Sequence, residues 1–202
     1  MEFSEAAQQI VNAGRWLDAR GWAPATSGNY SIRLNSTSIA VTVSGRHKGR
    51  LTTDDVIAID YEGHSSGHSL PSSETPLHVV MYRLDRSVGA VVHTHSVHST
   101  VLGMSPGGRT MLELQGYELL KAFPGISTHD ARVAVPIFDN TQDMAALSRR
   151  VTEHWRETKC FGYIIRGHGL YTWGSTMEDA LRSVETFEFL FACDLERRKL
   201  SS

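Results

Sequence analysis

The chain has 202 residues, 41% of them hydrophobic and 21% charged, with a formal net charge of −2. That length suits one domain, spanning residues 1–202, with a core large enough to fold without staples, and the near-neutral charge offers no basic field for nucleic acid or an anionic membrane. No run reaches the ~18 apolar residues of a membrane span, and the opening MEFSEAAQQI lacks the basic and apolar regions of a signal peptide.

Residues 4–21, SEAAQQIVNAGRWLDARG, predict an amphipathic helix. Ile10, Val11, Gly14 and Leu17 share its apolar stripe, Ser4 can cap its start, and Gly21 stands where a left-handed residue ends a helix. NYSIRL (29–34) and IAVTVS (39–44) predict a hairpin turning at 35–38, and VIAIDYEG (56–63) predicts a third strand after the polar loop GRHKGR. HSSGHSLPSS (64–73) reads as a loop within the domain. ETPLHVVMYRLD (74–85) reads as a helix with Pro76 in its first turn, where the missing N–H costs little. VGAVVHTHS (88–96) is a buried strand ending in histidines. RVAVPIF (132–138) is a strand that Pro136 assigns to an edge or an end. Asn140 caps a helix over 141–157, and FGYIIRGHGLYTWG (161–174) predicts two strands broken at 167–169. A long helix over 175–198 opens with Ser175 and Glu178 in capping-box spacing. Hairpins mixed with helix-linked strands predict one mostly antiparallel or mixed sheet covered by helices. Neither GxGxxG nor GxxxxGK[ST] occurs, which argues against a nucleotide cofactor. Cys160 and Cys193 fit no paired spacing and read as reduced core thiols, so a cytoplasmic protein is expected.

The chemistry gathers in VVHTHSVHST (91–100). Residues two apart on a strand face the same side, so His93 and His95 project together as a ready pair of metal ligands. His98 falls in the next helix and reads as a neighbour. A catalytic zinc usually takes three protein ligands. His168, framed by Gly167 and Gly169, is the best third candidate, because the glycines let the backbone bend and approach another element. His78, four residues after Glu74 on a helix face, is a weaker one. His47, His64, His68, His129 and His154 sit in polar or helix-surface contexts. Phe187, Leu190 and Phe191 recur at helical spacing and read as core, while Trp173 is a candidate for apolar surface near the site.

In order along the chain, ATSGNYSIR, TVSG, PSSETPLH, VVHTHS and GHGLYTWG resemble the class II aldolase/adducin family over nearly the whole sequence. The resemblance implies a single three-layer α/β/α domain around a mixed, mostly antiparallel sheet. It implies one Zn²⁺ per subunit on His93, His95 and His168, and a homo-oligomer, commonly a tetramer with sites near subunit interfaces. It also implies a phosphate site from Thr26, Gly28 and Asn29, Ser44 and Gly45, and Ser72 and Ser73. Short hydroxyls, an amide and glycine N–H groups suit an anion, and Lys48 can add a point charge. Of two candidate acid/base carboxylates, Glu118 matches the family's dehydratases and Glu74 its aldolases. Glu118 is expected to act as the main group and Glu74 to assist beside the metal.

VSGRHKG, LLK after LQGYE, and HGLYTWG lie nearest the family's dehydratases. They imply a metal-dependent lyase acting on a five-carbon 2-ketose 1-phosphate that bears a methylthio group at C5, with no redox cofactor. An aldolase or 4-epimerase on a related ketose phosphate is the alternative. A non-catalytic adducin-like interaction module is a distant third, since it has no reason to keep all three histidines.

Overall fold

Helix α1 (Phe3–Asp18) buries Ile10, Val11, Gly14 and Leu17 along its predicted stripe. The computed structural model describes residues 1–65, 69–105 and 107–200, so His68 and the middle of the 64–73 loop lie outside the described residues. Ser4 sits inside the first turn of α1, and the cap position is Glu2, earlier in the chain than expected. Past the helix, Gly21 takes a φ of +73° and Trp22 N–H returns to Leu17 O at 3.1 Å. A Cβ on Gly14 would lie 2.3 Å from the carbonyl oxygen of Lys48. The missing side chain thus lets α1 press directly on the 48–50 turn and carry Lys48 inward.

The strands are β1 (Asn29–Arg33), β2 (Ser38–Thr42), β3 (Val56–Asp60), β4 (Ala90–Thr94), β5 (Met111–Gln115), β6 (Arg132–Phe138), β7 (Gly162–Ile165) and β8 (Gly169–Gly174). The remaining helices are α2 (Thr75–Leu84), α3 (Val97–Gly103), α4 (Met144–Glu157) and α5 (Met177–Leu200). One sheet runs β3-β2-β1-β4-β8-β7-β6-β5, antiparallel throughout except for β6 beside β7. Alternation along β4 divides the layers. Ala90 and Val92 pack towards α1 and the start of α5, and Val91 packs with α2 and α4 on the other face. Farther along, α5 buries Phe187, Leu190 and Phe191 against β5 and β6.

Three local expectations change. Pro136 lies in an interior strand, because β5, MLELQ, adds an unforeseen edge beyond it. The proline is tolerated since pairing with β7 begins only at Ile137, one residue past the missing N–H. The helix caps are also displaced. Asp143, not Asn140, accepts the Ala146 N–H at 2.9 Å, and Thr176, not Ser175, accepts the Asp179 N–H at 3.1 Å. Trp173 packs edge-on against Trp155 at 5.4 Å in the core, away from the histidines. Cys160 and Cys193 are free and half-buried, and burial pushes the Cys160 thiol up to about 12.

Candidate metal and anion site

His93 sits near the end of β4 with Asn29 of β1 on one side and Tyr171 of β8 on the other. His95 lies just past the strand, its backbone N–H bonded to Trp22 O at 2.9 Å. His168 occupies the β7–β8 turn. A Cβ on Gly169 would stand 2.0 Å from Thr94 O, so only glycine there lets the turn close on the end of β4. Strand and turn together bring one nitrogen from each of His93, His95 and His168 within 4.8 Å of the others.

Two of the rings are poised as ligands. His93 Nδ1–H donates to Leu170 O at 2.9 Å, which leaves Nε2 as the lone pair, and Nε2 lies 3.3 Å from His168 Nε2. Burial holds His93 well below the ordinary imidazole value and takes His95 down to about 4, so both are unprotonated at neutral pH. Glu74, at the start of α2, completes the cluster with Oε1 3.0 Å from His168 Nε2 and Oε2 3.4 Å from His93 Nε2. Oε2 also accepts from Asn29 Nδ2 at 2.8 Å and from the Tyr171 hydroxyl at 3.2 Å. Burial alone would raise the carboxyl, but the hydrogen bond from His168, the His93 ring and the Asn29 amide hold it well below the usual carboxylate range. Three imidazole nitrogens beside an ionised carboxylate form a donor set that could hold a divalent cation. His98 is not part of it. Its Nδ1–H donates to the buried Glu188 at 3.1 Å, turning the ring towards α5.

The three predicted anion segments meet on the same cleft. Thr26, Gly28, Asn29, Ser44, Gly45, Ser72 and Ser73 line a space of about 290 Å³ with Lys48, Glu74, His95 and His168. Ser27 joins them, unremarked in the sequence because serine is common in turns. Gly28 carries a φ of +81° and passes close over His93 O, so a side chain there would collide. Lys48 is 1% exposed, unlike most loop lysines. Its ammonium donates to Thr26 O at 2.9 Å and Arg46 O at 2.6 Å, which leaves one N–H for the cleft. Burial lowers its pKa to about 8. Lys48→Met is therefore expected to raise KM for a phosphorylated substrate about tenfold or more with little change in kcat. In the unaltered protein KM should climb above about pH 8 as the ammonium loses its proton. Steady-state kinetics across that range check both.

Glu118 does not join this cleft within one chain. It lies on a 3₁₀ turn (Glu118–Ala122), 72% exposed, paired with Lys121 and 3.9 Å from His129 Nδ1. With Leu119 and Phe189 it borders a separate hollow near α5. His47, His64 and His154 take peripheral places beside Asp18, Asp60 and Phe138. His78, the weaker candidate for a third ligand, lies outside the cluster of His93, His95 and His168. It is fully buried behind Asn29, a placement that its helix periodicity could have suggested and its residue type disguised.

Residues 8–195 match the family of the class II aldolase and adducin N-terminal domain. A methylthioribulose-1-phosphate dehydratase of Pseudomonas fluorescens (strain Pf0-1) is 54% identical over 200 residues, covering 97% of this chain and 95% of its own length. One from Pseudomonas aeruginosa (strain LESB58) is 55% identical over 197 residues, covering 96% and 95%. Among solved structures, L-fuculose-1-phosphate aldolase from Thermus thermophilus superposes with a TM-score of 0.78 at 24% identity, covering 99% of this chain and 98% of that one. Another L-fuculose 1-phosphate aldolase reaches 0.82 at 19% identity, covering 98% and 89%. At those identities the likeness is one of fold.

Proposed function

Because the chain belongs to the class II aldolase and adducin family, we propose that it is a lyase that dehydrates 5-methylthioribulose 1-phosphate to 2,3-diketo-5-methylthiopentyl 1-phosphate, a step of methionine salvage. Identity above half over nearly the full length of dehydratases carries this reading. The cleft agrees with it, since the anion loops and the histidine cluster open on one space.

Loops 26–29, 44–45 and 72–73, with the free N–H of Lys48, hold the phosphate. His93, His95 and His168 would hold one Zn²⁺ per subunit. When bound, that cation supplies Lewis-acid polarisation of the C2 carbonyl. Glu74, kept ionised among its donors, stands beside the histidines and is placed to take the C3 proton. The C4 hydroxyl leaves as water once it receives a proton, and the resulting enol tautomerises to the diketone. Carbon and oxygen are redistributed with no net redox change, so no redox cofactor enters.

Glu118 supplies the second carboxyl from a neighbouring copy in a homotetramer. Exposed Leu119 and Phe189 flank it, and Val97 and Val101 on α3 with Met104 at its C-cap form an exposed apolar stripe shortly after His95. Covering such patches is what an assembly does. Among the described residues no helix is long and apolar enough to cross a membrane. The proposed enzyme acts on a small-molecule substrate in the cytoplasm, with neither a nucleic-acid nor a membrane partner.

Chelation tests the metal-dependent reading. Protein stripped of metal should leave the substrate intact, and added Zn²⁺, Fe²⁺ or Mn²⁺ should restore its consumption. Undiminished turnover by protein verified as metal-free would contradict it.

A further inference from the structure

Behind the cleft, a file of buried polar groups leads from the sheet to Glu74. Asn29, Ser31, His78 and Tyr82 are 3%, 0%, 0% and 1% exposed. Asn29 and Ser31 lie two apart on β1 and so face the same side, while His78 and Tyr82 lie one turn apart on α2. Ser31 Oγ is 2.7 Å from His78 Nδ1 and 2.8 Å from the Tyr82 hydroxyl. His78 Nε2 is bonded to Asn29 Oδ1, and Asn29 Nδ2 donates to Glu74 Oε2 at 2.8 Å and Ser72 Oγ at 3.4 Å.

Every proton in this file is assigned by elimination, starting from Glu74. A carboxylate only accepts, so Asn29 turns its N–H groups towards it and its carbonyl towards His78. That carbonyl also only accepts, so the hydrogen sits on His78 Nε2. Burial takes His78 down to about 3, which makes the ring neutral and Nδ1 an acceptor for the Ser31 hydroxyl. Ser31 in turn accepts from Tyr82.

The two orientations of an asparagine amide have nearly the same shape, and its partners alone decide between them. The choice matters here, because Asn29 both lines the anion cleft and touches Glu74. We propose that His78 is a positioning residue that locks the Asn29 amide, so that one side chain presents N–H groups to Glu74 and to the anion cleft together. His78 does not itself line the cleft. The proposal rests on the reading that the cleft takes the substrate's phosphate and that Glu74 moves a proton. Without His78 the buried Asn29 carbonyl would lose its donor and the amide its reason to face one way.

A double-mutant cycle on zinc-loaded protein tests this, with kcat from steady-state kinetics and inorganic phosphate affinity from calorimetry. His78→Leu should weaken phosphate binding about tenfold and lower kcat about tenfold to a hundredfold, as expected for a lost hydrogen bond to a charged group. Asn29→Ala should do the same, the double variant should be no worse than Asn29→Ala, and His78→Gln, which still offers an N–H, should recover most of both. Additive losses, or a folded His78→Leu protein with unchanged phosphate affinity and kcat, would overturn the proposal. If circular dichroism shows His78→Leu unfolded, Ser31→Ala, which frees the far ring nitrogen, takes its place in the same cycle under the same criteria. Unaltered protein that binds phosphate yet leaves the substrate unchanged would overturn the functional reading alone, and the phosphate arm would still decide on His78.

Discussion

His95→Ala is expected to lose both its metal and its activity, whereas His98→Ala keeps a stoichiometric ion. Two histidines three residues apart in sequence serve different elements. His95 Nδ1 or Nε2 stands within 4.8 Å of the ligand atoms of His93 and His168, and His98 is turned to Glu188 on α5. Removing one of three protein ligands leaves a pair that competes poorly with solvent, and the Lewis-acid contribution goes with the ion. Because that contribution amounts to several kcal/mol, kcat should fall by about 10³-fold or more. Metal analysis of the purified variants, beside their kcat, checks the contrast. A His98→Ala protein without metal would show that the ligand set is wrongly drawn.

Glu74→Gln and Glu118→Gln should each cost about 10²–10⁴-fold in kcat, the usual range for a general acid or base. The two carboxyls occupy separate cavities of one chain, one among the histidines and one beside Leu119. If Glu118 serves the cleft of a neighbouring copy, mixing the two inactive variants rebuilds intact sites. Subunit exchange between equal amounts should then restore about a quarter of the unaltered activity, since each hybrid contact pairs the two intact carboxyls by chance. A mixture as inactive as its components would rule out Glu118 acting from a neighbouring copy.

Much of this site is legible in local pattern. Period-two alternation in the predicted strand 88–96 picks out His93 and His95, although β4 itself ends at Thr94, and Gly167 and Gly169 mark His168 as residing where backbone must approach backbone; the Cβ that Gly169 lacks would meet Thr94 O at 2.0 Å. The anion loops are different. TSGN, SG and SS are ordinary turn chemistry, and only resemblance to a family joins them, because their meeting depends on strands far apart in sequence. Lys48 illustrates what local pattern hides. Its burial comes from Gly14, 34 positions earlier, letting α1 press on its turn. His78 is similar, since its partners Asn29 and Ser31 lie on another element. Helix caps move by one to three positions because Asn140, Thr141 and Asp143, or Ser175 and Thr176, are all competent caps, and tertiary packing chooses among them. Strand β5 shows the two-residue alternation in its buried Leu112 and Leu114, but five residues between polar stretches make a weak signal.

Which bond at C4 breaks separates dehydration from aldol cleavage. Purified, zinc-loaded protein incubated with 5-methylthioribulose 1-phosphate should yield a single product lighter by one water, read by mass spectrometry. Two smaller fragments would show cleavage between C3 and C4, as an aldolase performs, and an unchanged substrate mass would contradict dehydration altogether.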